Sequence, residues 1–265
     1  MDYKNILVGI GNPLLDITAN VDKQFVQNHR LEENGSMLVT KKYMDELIDE
    51  ILNSQSDPNI EYTPGGTILN TVRIFQWAMN RIVNNDNKPI THFATFFGAT
   101  GNDDYSEILL SESQKSGLRM LCQKIEDEHT GRCLTMINGT KRSMCADLGA
   151  ASKFNLEFLE TPENWSVIEN ATVYYTSAHF LNVSPNYEYR AFANEMNFDK
   201  IEDIKDIGLE MAKFEKVKLK LNNITDDLPL IVIKNDGQMI EYKVKEIPNG
   251  TLVDSSCAGD AFAGG

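Results

Sequence analysis

The sequence predicts a single α/β domain, and three observations support this class. The apolar run Asn5–Ile10 ends at the turn Gly11–Pro13, which is typical of a buried strand that reaches a loop. The β-rich run His92–Phe97 ends at Gly98 and precedes the helical pattern Ser106–Ser116. The 265 residues, 42% of them hydrophobic, suffice for one large core, and no repeat or composition break divides them.

The other elements follow from apolar spacing and turn residues. Lys41–Leu52 places apolar residues on one side and acids on the other, as in an amphipathic helix. A second helix is expected after the turn Tyr62–Gly66, and its opening on two glycines indicates a phosphate or ligand site. Further predictions are a hairpin of Cys133–Ile137 and Arg142–Ala146 around Asn138-Gly139-Thr140, a strand Ala171–Ser177, a helix start at Val183-Ser184-Pro185, and a hairpin of Leu228–Ile233 and Met239–Val244.

Charge and cysteine usage exclude several classes of protein. The net charge of −14 argues against nucleic acid or an anionic membrane as the main partner, because their phosphates would be repelled. No apolar run is long enough to span a membrane, and the amino terminus lacks a secretory pattern, so a cytoplasmic protein is expected, with the nucleus as a second compartment. The four cysteines and four histidines lack metal-ligand spacing, which indicates reduced thiols and no structural zinc.

The last twelve residues, Asp254–Gly265, place one acid behind what reads as the start of a helix. Backbone N–H groups of Ala258, Gly259 and their neighbours would point outward there and favour an anion. Asp260 would lie beside that anion as a carboxylate base. The pattern predicts a site that holds a phosphoryl group during its transfer.

Four blocks carry a resemblance to a known family: GNPLLDITA (11–19), PGGTILNT (64–71), FFGATGNDD (96–104) and DSSCAGDAFAGG (254–265). In this order they resemble landmarks of the ribokinase-like (PfkB) carbohydrate and purine kinases. TGRC, KRSMCADLGAA and HFLNVSP, from Thr130, Lys141 and His179, are most similar to the adenosine-phosphorylating branch. The resemblance implies a three-layer αβα sandwich with a mostly parallel central sheet, in one domain spanning 1–265, and a small β lid from about 12–40 and 130–148.

The resemblance also implies a reaction. It is transfer of the γ-phosphate of ATP to the 5′-hydroxyl of adenosine, which gives AMP and ADP in purine salvage. Asp260 would accept the hydroxyl proton, and an anion hole from Cys257, Ala258 and Gly259 would stabilise the departing charge. Mg²⁺ is expected to bridge the ATP phosphates, with Glu195 ordering it through water.

The acceptor site has a polar part in this reading. Asp16 can accept two hydrogen bonds from a vicinal diol, which suits a ribose, whereas by residue type alone it is a turn-capping acid. Gly65 and Gly66 permit close approach of the backbone, although a glycine pair before a helix is more often a plain turn. The resemblance assigns sugar contacts to these glycines and to Asn70, and substrate contact to Asn12.

The remaining assignments concern the phosphate and the base. A guanidinium on the predicted hairpin, Arg142, would neutralise the transferred phosphate, the alternative being a solvated hairpin arginine. The nucleoside pocket would be lined by apolar side chains, which by type alone are ordinary core residues. They are Leu14, Leu38, Cys133, Ala146 and Phe180, the last stacked on adenine.

Two departures from the family pattern shape the expectations for this chain. The first is Cys257, which replaces a usual glycine. The second is the short segment after Pro185, where roughly three dozen residues that would form a strand-helix-strand crossover are expected to be missing. Family helices beyond Gly265 are absent from this sequence, so we expect an incomplete fold with little activity; a complete chain would be a monomer. The alternatives are a sugar kinase of the same fold and a non-catalytic nucleoside-binding remnant.

Overall fold

A computed structural model describes residues 5–56, 58–83, 91–177 and 180, together with the backbone of residues 230–233 and 239–242. The strands are β1 (Leu7–Ile10), β2 (Leu14–Asn20), β3 (Ser36–Leu38), β4 (Glu61–Gly65), β5 (Ala94–Gly101), β6 (Arg119–Ile125), β7 (Arg132–Asn138), β8 (Lys141–Asp147), β9 (Val173–Tyr175), β10 (Leu230–Ile233) and β11 (Met239–Tyr242). The helices are α1 (Lys23–Asn28), α2 (Lys41–Ser54), α3 (Thr67–Val83), α4 (Asp104–Lys115) and α5 (Pro162–Glu169), with 3-10 turns at Gly149–Lys153 and Leu156–Phe158. Among these helices none is long and apolar enough to cross a bilayer.

The first sheet is parallel throughout its described strands. Its order is β6-β5-β1-β9, and each neighbouring pair runs in the same direction. All eight residues of β5 are buried, which explains why the strand has no charged side chain, since a parallel strand between helices has no solvent face. Leu69 and Val72 of α3 and Leu109 of α4 pack in the same core.

The second sheet is mixed and has the order β3-β8-β7-β2-β4. Alternate residues of β2, β7 and β8 are buried, whereas those between them stay partly exposed. The buried set, including Ile17, Leu134 and Met136, packs under α1 and α2. We call this side the covered face and the other side, which carries Leu14, Asp16, Cys133 and Ala146, the open face.

The structure confirms the α/β class and most of the expected elements. The hairpin around Gly139 is β7–β8, and the helix predicted over Lys41–Leu52 runs from Lys41 to Ser54 behind the capping side chain of Thr40. The strand predicted to end at Gly98 continues instead to Gly101. A β-carbon on Gly98 would lie 2.7 Å from the Gly11 carbonyl oxygen, so this glycine serves a close approach inside the strand rather than its end.

Other elements were missed or fall elsewhere. β2, β3, β4 and β6 were not predicted as individual strands. β4 contains Pro64, which lacks an N–H group; an edge strand tolerates it because one side of such a strand has no neighbouring strand to bond. The helix start expected at 183–185 lies outside the described residues.

Gln76 fastens α3 to the first sheet. Its Oε1 atom accepts hydrogen bonds from the backbone N–H groups of Phe93 (2.8 Å) and Ala94 (2.9 Å), and its Nε2 donates to the carbonyl oxygen of Thr91 (2.8 Å). The side chain is fully buried. One amide therefore satisfies three backbone groups at the entry to β5 and fixes the helix that opens on Gly66.

We expect Gln76→Leu to lower the free energy of unfolding by about 2–4 kcal/mol, because it leaves buried backbone groups without partners. Chemical denaturation monitored by circular dichroism measures the change. Gln27→Leu is the matched control, since Gln27 is exposed on α1, and its effect should stay within about 0.5 kcal/mol. Equal losses in both variants would contradict the role given to Gln76.

Candidate functional site

The register of the second sheet aligns residues of five strands in one row across the open face. Asp16 pairs with Thr63 on one side and with Cys133 on the other, Cys133 pairs with Ala146, and Ala146 pairs with Leu38. Four of these five were assigned to substrate binding from sequence. Thr63 was missed, because its strand β4 was not recognised.

The Asp16 carboxylate lies against Gly65, a residue without a side chain. A β-carbon on Gly65 would lie 2.1–2.2 Å from the carboxylate atoms of Asp16, so a side chain there would displace the acid. Leu14, two residues earlier on the same face, pairs with Gly65. The Asp16 carboxylate is thus packed directly against the Gly65 backbone, an approach that only glycine permits.

Gly66 has φ +96°, a left-handed conformation that favours glycine. A β-carbon there would lie 2.4 Å from the backbone carbonyl oxygen of Asn12. The turn between β1 and β2 therefore touches the start of α3 directly. This contact brings together the two segments that were predicted to bind the sugar, the one that carries Asn12 and Asp16 and the one that carries Gly66 and Asn70.

Asn12 has buried polar atoms that need partners. Among the described residues, neither its Nδ2 nor its Oδ1 forms a hydrogen bond, although both atoms are inaccessible to solvent. Buried polar groups without partners are rare and costly. A ligand that both donates and accepts, such as a hydroxyl group, fits this amide.

Asn70 lies in the first turn of α3, where its N–H group donates to the carbonyl oxygen of Gly66 at 2.9 Å. Its Oδ1 accepts from Arg73 at 3.4 Å, and the same guanidinium nitrogen donates to the carbonyl oxygen of Pro64 at 2.8 Å. Arg73 thus orients Asn70 and ties the helix start to β4. Sequence reasoning missed Arg73, although its i, i+3 spacing from Asn70 was a usable signal.

Cys133 lies between Asp16 and Ala146 in the row. Burial, together with the negative charge of Asp16, raises the pKa of this thiol to about 12. The group is therefore a neutral, weakly polar surface at physiological pH. It suits contact with an apolar ring rather than nucleophilic chemistry.

Two assigned residues lie apart from this row. Arg142 is on the open face of β8, but its four-residue separation from Ala146 corresponds to about 13 Å along the strand. Phe180 is 2% exposed, and its ring lies 6.1 Å from that of Phe154 in the core of the first sheet. Stacking of Phe180 on a base stays a prediction.

Five assigned residues lie outside the described part of the chain: Glu195, Cys257, Ala258, Gly259 and Asp260. Within the described part, no group of three or more His, Cys, Asp or Glu side chains is arranged to hold a metal ion. The described geometry thus covers the polar groups of Asn12 and Asp16 and the row beside them.

We expect Asp16→Asn to lower the pKa of Cys133, because the substitution removes the negative charge that opposes thiolate formation. Burial should still hold that pKa above the ordinary value. Alkylation by iodoacetamide at pH 9, followed by mass spectrometry, should be faster at Cys133 in the variant. Cys122 is the internal control, since burial raises its pKa to about 12 far from Asp16. Unchanged alkylation of Cys133 would show that the carboxylate does not face the thiol.

Known proteins with this architecture share the whole span of the chain. Adenosine kinase 1 of Arabidopsis thaliana is 28% identical over 313 aligned residues, which cover 100% of this chain and 87% of that protein. The aligned span is longer than this chain, so that relative carries internal residues that this chain lacks. The adenosine kinase of Saccharomyces cerevisiae is 27% identical, with 98% of this chain and 86% of the relative covered.

Solved structures agree with the fold. Anopheles gambiae adenosine kinase, in complex with P1,P4-di(adenosine-5) tetraphosphate, is 26% identical with a TM-score of 0.71, covering 99% of this chain and 88% of that one. The apo adenosine kinase of Trypanosoma brucei brucei is 22% identical with a TM-score of 0.75, covering 98% and 90%, and supports the fold alone. The ribokinase-like α/β class is thereby confirmed.

The pattern that describes the pfkB family carbohydrate kinases matches residues 40–209, more than half of the chain. That stretch includes α2, the glycine-opened helix α3, the first-sheet strands β5 and β6, and the β7–β8 hairpin. Kinases of this family transfer a phosphoryl group from ATP to an alcohol. This chain, with its parallel sheet and its row of residues beside Asp16, belongs to the pfkB family of carbohydrate kinases.

Proposed function

We propose that this protein is an adenosine kinase, which transfers the γ-phosphate of ATP to the 5′-hydroxyl of adenosine. The names of the relatives from Arabidopsis and yeast support this acceptor, as does the Anopheles structure with its bis-adenosine ligand. The products are AMP and ADP, so the reaction is a purine-salvage step. We propose that it takes place in the cytoplasm.

The observation that carries the proposal is the Asp16 carboxylate against the bare backbone of Gly65. A carboxylate can accept from both hydroxyls of a ribose 2′,3′-diol, and the Asn12 amide beside this pocket has both hydrogen-bonding roles to offer. Next to these polar groups the row continues through Cys133, Ala146 and Leu38. A nucleoside has a matching arrangement, with a polar sugar at one end and a flat and largely apolar ring at the other.

In the proposed reaction the described residues bind and orient the acceptor. Asp16 and Asn12 fix the ribose, with Asn70 as a further contact, and Cys133, Ala146 and Leu38 contact the base. The 5′-oxygen then forms a bond to the γ-phosphorus as the bond to the β–γ bridging oxygen breaks, and its proton passes to Asp260. Holding the hydroxyl in line with the phosphorus supplies most of the rate enhancement.

The donor side of the site rests on residues outside the described part. We propose that Cys257, Ala258 and Gly259 bind the transferring phosphoryl through backbone N–H groups, and that Arg142 adds positive charge from the hairpin. Mg²⁺, when bound to ATP, neutralises phosphate charge, and Glu195 is the proposed residue that orders it through water. An α-helix start is suited to this anion, because its N–H groups point outward.

The test is product formation from adenosine, inosine or ribose with Mg²⁺ and ATP, followed by chromatography of AMP and ADP. We expect turnover with adenosine, loss of kcat in Asp260→Asn, and a KM for adenosine raised about 10- to 100-fold in Asp16→Asn. Asp49→Asn, at an exposed position on α2, is the control and should behave as wild type. Exclusive use of ribose would identify a sugar kinase, and adenosine binding without ADP would identify a non-catalytic binding protein.

A second experiment tests the close approach at Gly65. Gly65→Ala should weaken adenosine binding roughly 10- to 100-fold in calorimetry, because the new methyl group displaces the Asp16 carboxylate. Gly139→Ala is the control, since no heavy atom lies within 4 Å of its added β-carbon. The control loses some stability through its φ of +63° but should keep its affinity. Equal affinities of the two variants would refute the ribose site at Asp16.

A further inference from the structure

A buried ion pair lies directly behind the row on the open face. Arg132 and Asp147 are cross-strand partners on β7 and β8, each adjacent in sequence to a row residue, Cys133 and Ala146. Their side chains lie on the covered face, where Arg132 Nη2 donates to Asp147 Oδ2 at 3.2 Å. The two residues are 3% and 6% exposed. Any shift of this pair therefore moves the backbone of the row.

Arg132 also binds elements outside the sheet. Its Nη1 donates to Asp45 Oδ1 of α2 at 2.8 Å, and its guanidinium carbon lies 5.3 Å from the ring centre of Tyr105 on α4. Lys41, also on α2, donates to the other oxygen of Asp45 at 2.6 Å. Hydrogen bonds from Arg132 and Lys41 outweigh burial and lower the pKa of Asp45, so the carboxylate stays charged. One guanidinium thus joins both hairpin strands to the helices of the two cores.

Asp147 continues this network at the exit from β8. Its Oδ2 lies 2.6 Å from Nε2 of His129, and the carbonyl oxygen of His129 accepts from the N–H group of Ala150 at 2.8 Å. A β-carbon on Gly149, whose φ is +44°, would lie 2.4 Å from that same carbonyl oxygen. The segment before β7 and the segment after β8 are therefore fastened to each other.

We propose that Arg132 is a positioning residue, which holds the Cys133–Ala146 part of the row in place relative to Asp16. The proposal rests on the proposed function, because it assigns the row to the nucleoside. A buried ion pair is seldom needed for stability, since apolar residues of similar volume often do as well, whereas its geometry is restrictive. The guanidinium donates to two different carboxylates and lies over the Tyr105 ring, so it holds two strands and two helices at once with directional contacts that a nonpolar side chain lacks.

The first experiment needs no substrate. Cys133 alkylation is followed by mass spectrometry in wild type, Arg132→Met and Arg132→Lys, with Arg119→Met as the control at an exposed arginine of β6. We expect alkylation of Cys133 to rise about 10-fold or more in Arg132→Met, with partial recovery in Arg132→Lys and little change at Cys122 on the first sheet. An equal rise at Cys122, or no rise at Cys133, would overturn the proposal.

The second experiment separates positioning from folding. Arg132→Met leaves Asp45 and Asp147 without their partner, so the triple variant with Asp45→Asn and Asp147→Asn removes the stranded charges and should recover the wild-type Tm. We expect its KM for adenosine to stay raised about 10-fold, with kcat within about 3-fold of wild type. If both the KM and the Tm of the triple variant return to their wild-type values, Arg132 has only a structural role and the proposal is wrong. If wild type neither binds nor uses adenosine, the proposed function fails, while the alkylation result still decides whether Arg132 positions the row.

Discussion

The close approach of the Gly65–Gly66 backbone to β2 and to the β1–β2 turn is the constraint on which the site depends. A β-carbon at Gly65 would overlap the Asp16 carboxylate, and one at Gly66 would lie 2.4 Å from the Asn12 carbonyl oxygen. Without this approach, α3 and its first-turn residue Asn70 would not begin beside the turn that leads into β2. The same turn links a strand of the parallel sheet to a strand of the mixed sheet. The pocket therefore lies where the two sheets meet, and packing of either one bears on its geometry.

Each sheet is fixed by a buried polar group rather than by apolar packing alone. Gln76 satisfies three backbone groups at the entry to β5, and Arg132 joins β7 and β8 to α2 and α4. Directional hydrogen bonds define one arrangement, whereas apolar contacts tolerate sliding. This distinction matters for an enzyme whose proposed chemistry is mostly positioning. A register shift of β2 and β7 by one residue would turn Asp16 and Cys133 to the covered face.

The sequence predicted what depends on local pattern. The glycines near Asp16, the Asn-Gly hairpin and the amphipathic helices have signatures within a few residues, and the family resemblance supplied the partners of Asp16 in the row. β4 was missed because Pro64 and two glycines read as a turn, and only its pairing with β2 makes it an edge strand. The Arg132–Asp45 hydrogen bond joins residues 87 positions apart, so no short-range sequence pattern indicates it. Long-range polar contacts of this kind need the fold before they can be recognised.

The charge of the chain bears on the proposed reaction. Adenosine is neutral and can approach a carboxylate in a protein of net charge −14, but AMP is an anion. Of the residues on the open face of the described strands, Arg142 is the one cation, because the charge of Arg132 lies on the covered face between Asp45 and Asp147. Arg73 on α3 adds a positive charge next to Asn70 and the Pro64 carbonyl oxygen. In the proposed reaction this charge offsets part of the repulsion between Asp16 and the phosphate of AMP. The remaining electrostatic repulsion from the acid that orients the ribose would then promote release of AMP once the phosphate has been transferred.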